Sequence, residues 1–558
     1  MSREPQNYAW IGVGDINGFF GLMFDNIATL SFLAGTLIIG FNFPADIVHT
    51  RMFPGTTFGV LVGDLAYTWL AFRLAKKTGR TDVTAMPLGL DTPSTIGLAL
   101  TVLGPSFLAF KQAGVTPEEA AIMSWHIGMA TMVLMGIVKI IMSFCGNWIR
   151  KIVPRAGLLG SIAGVGLTLI GFMPLVDVFG LPVIGVLSLG LILYTVVAGI
   201  QLPKGLPGIL LAIVLGTACF HLSDFLGLRG FAPHISSWQL PQLHVGLPLP
   251  TLGFLDGMLP ALKFLPISIP FAILTIVGGI NVTESAHAAG DAYDTRDILL
   301  TEAWATLVAG LCGGVAQSCP YIGHPAYKRM GARAGYTLLT AGFIGLGGIM
   351  GYVSFIVELV PRAVLAPILV FIGLEITAQA FVHTPRRHSH AVVLAMLPTV
   401  ARLLSIQYES PSIVPVPHLQ ELITKATHAG LPEVLVVIAL GNGFIMTGML
   451  WGAFLAEMID RRLRVSAVHA FILGVLSFFG IIHSAMPDAS LYFPWRLEGM
   501  ARELCYQFTL AYLLLAGLIF AFSFSVSGKE MPPSHCSDET ECSRHCPAPS
   551  HDSLQKSP

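Results

Sequence analysis

The sequence predicts an all-α polytopic membrane protein, built as a seven-plus-seven transmembrane inverted repeat with two additional C-terminal spans. Three observations carry this prediction. The 558-residue chain has a mean hydropathy of +0.72 and only 11% charged residues, too apolar for a water-soluble core. Its apolar residues fall into segments of roughly membrane-spanning length. Short motifs also recur between spans that are seven apart, which makes the second copy upside down.

The spans follow from counting about 20 apolar residues for each crossing. In chain order they are 16–41, 54–74, 84–103, 120–146, 156–174, 182–199, 206–226, 261–283, 299–315, 318–328, 332–357, 362–381, 390–406, 432–457, 465–485 and 507–526. Lys and Arg concentrate in alternate loops, such as 73–80, 150–155 and 461–464. Cytoplasmic loops carry this excess, so we expect both termini in the cytoplasm and the protein in the plasma (inner) membrane.

The domain boundaries follow the same segments. We expect a first repeat over 1–228, an external loop over 229–260, a second repeat over 261–457 and two additional spans over 458–526. The tail, 527–558, has too few apolar residues to form a core, so we expect a disordered cytoplasmic tail rather than a metal site at its Cys and His residues.

Composition and motifs exclude several classes of function. A net charge of −1 gives no basic surface for nucleic acid. Neither a phosphate-binding Gly-rich loop nor a Gly-x-Ser-x-Gly nucleophile motif is present. The sequence therefore predicts a protein that is not an enzyme, that uses no cofactor, and whose partners are membrane lipid, a small solute and a coupling proton or cation.

Two internal echoes predict the inverted repeat. Val-Pro-Arg-Ala opens span 5 at 153–156 and opens span 12 at 360–363. TAMPLGLDTPSTIG at 84–97 parallels QSCPYIGHPAYKRMG at 317–331, because each places a proline, a glycine, a polar residue and a second proline in that order. Each echo joins span n to span n+7. An odd offset inverts the second copy, which is the plan of secondary transporters.

The second echo also predicts a binding site. Proline and glycine break spans 3 and 10, and broken backbone inside a bilayer is tolerated only where it packs in protein or lines a cavity. The helix that restarts after each break presents free N–H groups and the positive end of its dipole. We therefore expect a polar or anionic solute to bind near the membrane midplane, where the two breaks meet.

Three pieces of this chain resemble the xanthine/uracil permease family, also called nucleobase–ascorbate transporters or nucleobase:cation symporter-2, as a divergent branch. They are Glu284-Ser285 at the end of span 8, the Pro-Tyr-x-Gly-His run at 320–324 and the two Val-Pro-Arg-Ala starts. The resemblance covers about residues 10–457. It implies core and gate domains, short strands in spans 3 and 10, and a homodimer through the gate domain.

The resemblance also assigns site residues. Glu284 matches the acid that grips the base, and Gly323 stands where the family places a second acid. His287 lies one turn beyond Glu284 on the same helix face, so it is a candidate with Glu284 for proton coupling. The alternative is that both residues lie in the inner loop, where we also expect Asp291 as a solvated acid.

The remaining candidates come from the spans themselves. Asp25 and Asn26 interrupt span 1, and an ionisable group inside a bilayer is functional by default. Asp25 could instead pair with an inner-facing cation. Asp91 and His324 occupy corresponding breaks, where they could line the site from opposite sides or pair with each other as a structural bridge. The polar side chains expected to complete the site are Tyr321 and Gln317.

The function expected from these residues is secondary active transport of a small polar solute by proton-coupled alternating access. The resemblance favours a purine or pyrimidine nucleobase of the xanthine or uracil type, with Glu284 binding the ring and carrying the proton. The alternative is a small-anion transporter or exchanger, for sulfate or bicarbonate, on the same fold. A sensor or scaffold without net transport is a third hypothesis.

Overall fold

Helices dominate the computed structural model, which describes residues 8–144, 154–200, 202–203, 208–225, 241–321, 323–409, 414, 416–424, 431–486 and 491–525. The α-helices up to residue 225 are Val13–Ala34, Ala45–Ile47, Phe53–Thr78, Thr92–Leu98, Gly104–Gln112, Pro117–Ser143, Arg155–Val165, Met173–Gly180, Pro182–Ile192 and Gly208–Phe225. π-helical segments continue several of them, at Gly35–Gly40, Val48–Met52, Ala99–Leu103, Gly166–Phe172 and Leu193–Val197.

The second part of the chain follows the same plan. Its α-helices are Gly253–Ala261, Leu265–Ala288, Thr295–Leu311, His324–Arg329, Gly335–Thr340, Leu346–Met350, Tyr352–Leu359, Arg362–Val382, Ser389–Glu409, Val416–Thr424, Glu433–Gly441, Phe444–Ile459, Leu463–Phe478 and Gly499–Phe522. Short 3-10 helices occur at Leu262–Phe264, Arg386–His388 and Pro494–Arg496, and a π-helical segment at Ala341–Gly345.

These helices make the chain a multi-pass membrane protein. Within the described ranges, nine helices are long and apolar enough to cross a bilayer, and two bent pairs bring the number to eleven. Three shorter apolar helices lie at Pro182–Val197, Gly208–Ser223 and Leu463–Phe478. Together with Thr295–Leu311 and the strand and helix of span 10, they correspond to the sixteen predicted spans. The tail, 527–558, and residues 229–240 of the predicted external loop lie outside the described residues.

A two-stranded ribbon joins the two repeats at their breaks. Strand β1 (Leu88–Leu90) of span 3 pairs antiparallel with β2 (Ser318–Pro320) of span 10, with Gly89 opposite Cys319. Each strand leads into the helix of its own span, so the ribbon satisfies backbone groups that a bilayer would leave unpaired. The predicted inverted repeat, with short strands in spans 3 and 10, is confirmed.

The Val-Pro-Arg-Ala echo has a matching conformation in both copies. Pro154 and Pro361 each cap a helix N-terminus, with ψ of 143° and 141°, and the arginine that follows each proline is the first helical residue. Proline suits this place because it has no N–H to leave unpaired. The two halves of the fold therefore begin their gate helices in the same way.

The core and gate domains are visible in which spans pack together. Spans 1, 2, 8 and 9 pack against the ribbon, with span 4 packed on span 9 and span 11 on span 2, whereas spans 5, 12, 13 and 14 pack on one another. Glycines permit the closest approaches. Gly55 of span 2 lies against the backbone of Gly314, just before β2, and Gly157 of span 5 lies against Met449 of span 14.

Span 14 is bent by 83° between Glu433–Gly441 and Phe444–Ile459. The bend falls at Asn442 and at Gly443, whose φ of 70° suits a residue without a Cβ. The amide Nδ2 of Asn442 donates to the carbonyls of Ser484 and Met486, both at 2.9 Å. The segment that follows span 15 therefore satisfies this bend, so the additional spans belong to the same packed unit.

Candidate functional site

Asp91 stands at the end of β1 and caps the helix Thr92–Leu98. Its Oδ2 accepts the N–H of Ser94 at 3.0 Å and the amide Nε2 of Gln317 at 3.1 Å. Its own N–H donates to the carbonyl of Gln317 at 2.8 Å, and the Cys319 thiol donates to Oδ1 at 3.5 Å. The ribbon therefore brings two predicted site residues, Asp91 and Gln317, into direct contact.

Span 1 supplies two polar side chains to the other edge of β1. The Oδ1 of Asn26 accepts the N–H of Leu90 at 2.8 Å, so this side chain fixes the strand. Asp25 is 4% exposed, and neither carboxylate oxygen has a hydrogen-bond partner among the described residues. A Cβ placed on Gly89 would lie 3.4 Å from Asp25 Oδ2, so the carboxylate faces the ribbon. The alternative that Asp25 pairs with a cation is not realised within the described part of the chain.

An ion pair that sequence reasoning missed supports the ribbon from behind. Lys139 of span 4 and Glu302 of span 9 are both fully buried, and the Lys139 Nζ lies 2.5 Å from Glu302 Oε1. The ammonium also donates to Gln317 Oε1 at 3.2 Å and to the carbonyl of Ser318 at 3.0 Å. The pair thus places a fixed positive charge beside β2 and neutralises it on the side away from the strand.

His324 does not pair with Asp91, so the structural bridge considered for the two residues is not formed, whereas lining of the solute site by both residues stays a prediction. Its Nε2 lies 3.2 Å from the Thr84 carbonyl and 3.3 Å from Asp291 Oδ2. Asp91 and His324 follow opposite ends of the antiparallel ribbon, so their side chains have separate partners. His324 is fully buried, and its Nδ1 has no hydrogen-bond partner among the described residues.

Asp291 is the centre of a second polar cluster, which we call the Asp291 cluster. The expectation of a solvated loop acid is wrong, because Asp291 is fully buried. Its Oδ1 accepts from Lys328 Nζ at 2.7 Å and lies 3.3 Å from Arg80 Nη2, while Oδ2 accepts the N–H of Thr84 at 3.1 Å. Together with His324, these contacts tie the loop after span 8 to the loop before β1 and to the helix after β2.

The Asp291 cluster is charged at neutral pH. Burial alone would raise the pKa of Asp291, but donation from His324, Lys328 and the Thr84 backbone outweighs burial and holds that pKa below its usual range. Asp82, on the exposed side, has its pKa lowered chiefly by the hydrogen bond from Arg80. Asp291 and Asp82 are therefore both carboxylates at neutral pH.

Glu284 and His287 lie in the last turn of the helix Leu265–Ala288, and both side chains are exposed. The His287 Nε2 lies 2.5 Å from the Tyr293 carbonyl, which ties it to the loop that carries Asp291. Gly279, facing Pro320 of β2, marks where this helix passes the ribbon, so Glu284 lies more than one turn beyond it. Substrate binding and proton coupling by these two residues stay predictions.

Tyr321 and Gly323 connect β2 to the helix His324–Arg329. The N–H of Tyr321 donates to the Pro87 carbonyl at 2.8 Å, which extends the ribbon by one bond. The Tyr321 and Tyr327 rings meet edge to face, with centroids 6.4 Å apart. Gly323 lies against both rings, since a Cβ there would be 3.4 Å from each. These residues close the end of the ribbon opposite Asp91.

Two of the acids at the ribbon are predicted site residues, Asp25 and Asp91; a third, Asp64 of span 2, is fully buried beside Leu88 of β1, and the cation Lys139 is neutralised by Glu302. Of the two acids, Asp91 is held by Gln317 and Ser94, whereas Asp25 has no such partner among the described residues. An arrangement of this kind can bind a proton or a cation at Asp25 and can orient a polar solute against backbone N–H groups. Within the described residues, no group of three or more His, Cys, Asp or Glu side chains could hold a metal ion.

Comparison with known proteins relates this fold to transporters. No protein-family model matches the chain, and no curated protein matches it. By structure, 79% of the chain superposes on SLC26A9 with 13% identity and a TM-score of 0.50, and the chain spans 65% of that protein's length. This likeness shows a shared fold.

Two further solved structures match less closely. The transmembrane domain of a cyanobacterium bicarbonate transporter, BicA, has 17% identity and a TM-score of 0.47, over 70% of this chain and 96% of that one. Murine Slc26a9, an anion transporter in its inward-facing state, has 14% identity and a TM-score of 0.48, over 80% of this chain and 68% of that one.

The fold shared with SLC26A9 corrects the family assignment. SLC26A9, with which the chain shares its fold, belongs to a different family from the xanthine/uracil permeases. The resemblance inferred from Glu284-Ser285 and the Pro-Tyr-x-Gly-His run is therefore wrong, and it no longer supports a nucleobase as the solute.

Proposed function

We propose that this protein is a secondary transporter of a small anion, which binds at the ribbon and crosses together with a proton. The observation that carries the proposal is that two broken spans meet at one ribbon, from which the helices Thr92–Leu98 and His324–Arg329 both start. Asp91 caps the N-terminus of Thr92–Leu98, whereas that of His324–Arg329 has no side-chain cap, so its partial positive charge favours an anion. The shared fold with SLC26A9, whose murine form is an anion transporter, supports the same class of solute.

Asp25 supplies the coupling. A buried carboxylate without a partner is costly when ionised in a membrane, so it takes up a proton or a cation. An anion entering beside Asp25 would be repelled by a charged carboxylate and accepted by a protonated one. Binding of the anion and protonation of Asp25 therefore favour each other, which is the thermodynamic basis of symport.

A second candidate is a transporter of a neutral polar solute. Asp91 already occupies the start of the helix Thr92–Leu98, and Lys139 is neutralised by Glu302. With no unpaired cation at the ribbon among the described residues, hydrogen bonds from a neutral solute to Asp25 and Tyr321 are the competing chemistry. Exclusion of anions from the site would favour this candidate.

The wider mechanism follows the division into core and gate. The ribbon makes spans 3 and 10 one unit, and this unit would move against spans 5, 12 and 14 to expose the site alternately on each side. A homodimer through the gate domain, cytoplasmic termini and a plasma-membrane location complete the proposal. The exposed Glu284 and His287 would lie on the route by which the proton leaves.

The test is uptake of radiolabelled sulfate, chloride and bicarbonate into proteoliposomes, with the outside made acidic. We expect at least one anion to accumulate with the inward proton gradient, and Asp25→Asn to abolish that dependence while leaving the amount of folded protein unchanged. Asp46→Asn is the matched control, because Asp46 is exposed at the start of span 2. Uptake of no anion by the wild type would refute the proposal and would favour a neutral solute or a protein without transport.

A further inference from the structure

A continuous chain of polar contacts links the buried ion pair to Asp91. Glu302 Oε1 lies 2.5 Å from Lys139 Nζ, which donates to Gln317 Oε1 at 3.2 Å. The other end of the same amide, Nε2, donates to Asp91 Oδ2 at 3.1 Å and to Ser94 Oγ at 2.8 Å. Glu302, Lys139 and Gln317 are all fully buried, and Asp91 is 8% exposed.

The Lys139 ammonium and the Asp91 carboxylate favour the same orientation of the Gln317 amide. An amide has an accepting oxygen and a donating nitrogen, an ammonium can only donate, and a carboxylate can only accept. The oxygen therefore faces Lys139 and the nitrogen faces Asp91. An apolar residue at position 139 would leave the buried oxygen without this donor, so the amide would be held from one end only and would hold Asp91 less firmly.

Asp91 in turn depends on that amide. Its Oδ2 is engaged by Gln317 and Ser94, which leaves Oδ1 with the weaker thiol contact from Cys319 at 3.5 Å. Hydrogen bonds to a charged group are stronger than those between neutral groups, so the amide contributes substantially to the orientation of the carboxylate. The orientation of the Asp91 carboxylate thus depends on Gln317 and, through it, on Lys139.

We propose that Lys139 is a positioning residue for the transport site: paired with Glu302, it orients Gln317 and thereby holds the Asp91 carboxylate in place. This inference rests on the proposed function only in taking Asp91 to line the solute site. The solute itself does not touch Lys139, which lies behind β2.

The variants separate positioning from folding. Lys139→Met alone would leave Glu302 buried and uncompensated, so the informative variant is the double replacement Lys139→Met with Glu302→Gln, which removes both charges at similar volume. Gln317→Leu tests the same chain without touching either charge. The matched controls are Arg462→Met with Glu457→Gln, an ion pair at 2.9 Å at the end of span 14, and Gln379→Leu, an exposed amide.

Two measurements are made on each variant that folds. The first is the rate at which N-ethylmaleimide alkylates Cys319, followed by peptide mass spectrometry, because this thiol reports on Asp91 without any need for transport. The second is the KM for the anion that the wild type accumulates. We expect both test variants to alkylate faster and to raise the KM about tenfold, as for one lost hydrogen bond to a charged group. A purely structural role would lower the amount of folded protein but not move the KM.

Each result decides one question. Wild-type KM and wild-type alkylation in both test variants would overturn the role of Lys139. If the double variant does not fold, Gln317→Leu tests the link from the amide to Asp91 through which Lys139 must act, and wild-type values in that variant overturn the proposal. If the wild type carries no anion, the proposed function fails, and the alkylation rate of Cys319 still shows whether Lys139 and Gln317 position Asp91.

Discussion

Asp291→Asn should destabilise the protein more than any other single aspartate-to-asparagine change outside the membrane spans. Asp291 is fully buried and is surrounded by Lys328 Nζ at 2.7 Å, Arg80 Nη2 at 3.3 Å and His324 Nε2 at 3.3 Å. Removing one partner of a buried ion pair costs about 3–5 kcal/mol, because the other charges stay desolvated. The side chains of Lys328 and Arg80 are 18% and 34% exposed, so we expect a loss near the lower limit, about 3 kcal/mol.

Asp82→Asn is the matched control. Asp82 pairs with Arg80 at 2.7 Å, but its side chain is 64% exposed, so solvent screens the pair and we expect a loss of at most about 1 kcal/mol. The assay is the apparent melting temperature of purified protein in detergent at pH 7.5. A loss for Asp291→Asn no larger than that for Asp82→Asn would refute the reasoning that burial makes this cluster strong.

The pH dependence gives an independent check of the same cluster. The pKa of Asp291 is lower in the folded protein than in the unfolded chain, because its donors favour the charged form. Its stabilising contribution is therefore complete above the unfolded pKa, about 3.9, and is lost as the pH falls through the folded value. The difference in melting temperature between wild type and Asp291→Asn should persist at pH 5 and shrink below about pH 4. A difference that is already small at pH 5 would contradict an ionised Asp291.

Three further outcomes are expected. Gly55→Ala should prevent stable folding, because a methyl group there would overlap the backbone of Gly314, and the yield of monodisperse protein measures this. Gly89→Ala should fold normally, since its nearest contact would be 3.4 Å away, yet it should slow transport by filling the space in front of Asp25; normal flux would contradict this. Asn442→Ala should lower stability by about 1–3 kcal/mol, because it leaves the carbonyls of Ser484 and Met486 without a donor; an unchanged melting temperature would contradict this.

The sequence predicts the architecture well, because the bilayer imposes strict length and polarity rules on each span. The two echoes place proline and glycine in the same order in both copies, and these residues interrupt a helix in each copy. For this reason the sequence predicts that the breaks in spans 3 and 10 meet, and the structure pairs them as strands with Gly89 opposite Cys319. Family membership could not be predicted in this way, because Glu284-Ser285 and Pro-Tyr-x-Gly-His are short runs that unrelated transporters can share.

The site was predicted only in part, for physical reasons. Asp25, Asp91 and Gln317 stand out because each is polar where the neighbouring sequence is apolar. Lys139 and Glu302 do not stand out, since each lies near the end of its predicted span, where a charge usually reaches the interface. Only tertiary packing shows that Lys139 and Glu302 face each other in the interior, because they are far apart in the sequence.

The ribbon also constrains how the chain can be made. Before β2 is synthesised, the backbone groups of Leu88–Leu90 have no strand to pair with, and unpaired backbone costs several kcal/mol per group in hydrocarbon. Asp91 likewise lacks its partner Gln317 until then, because Gln317 is 226 residues later in the chain. Span 3 therefore cannot settle in the bilayer during its own translation. During biogenesis, the insertion machinery or interfacial water must therefore solvate the unpaired backbone groups of span 3 until span 10 has been synthesised and inserted.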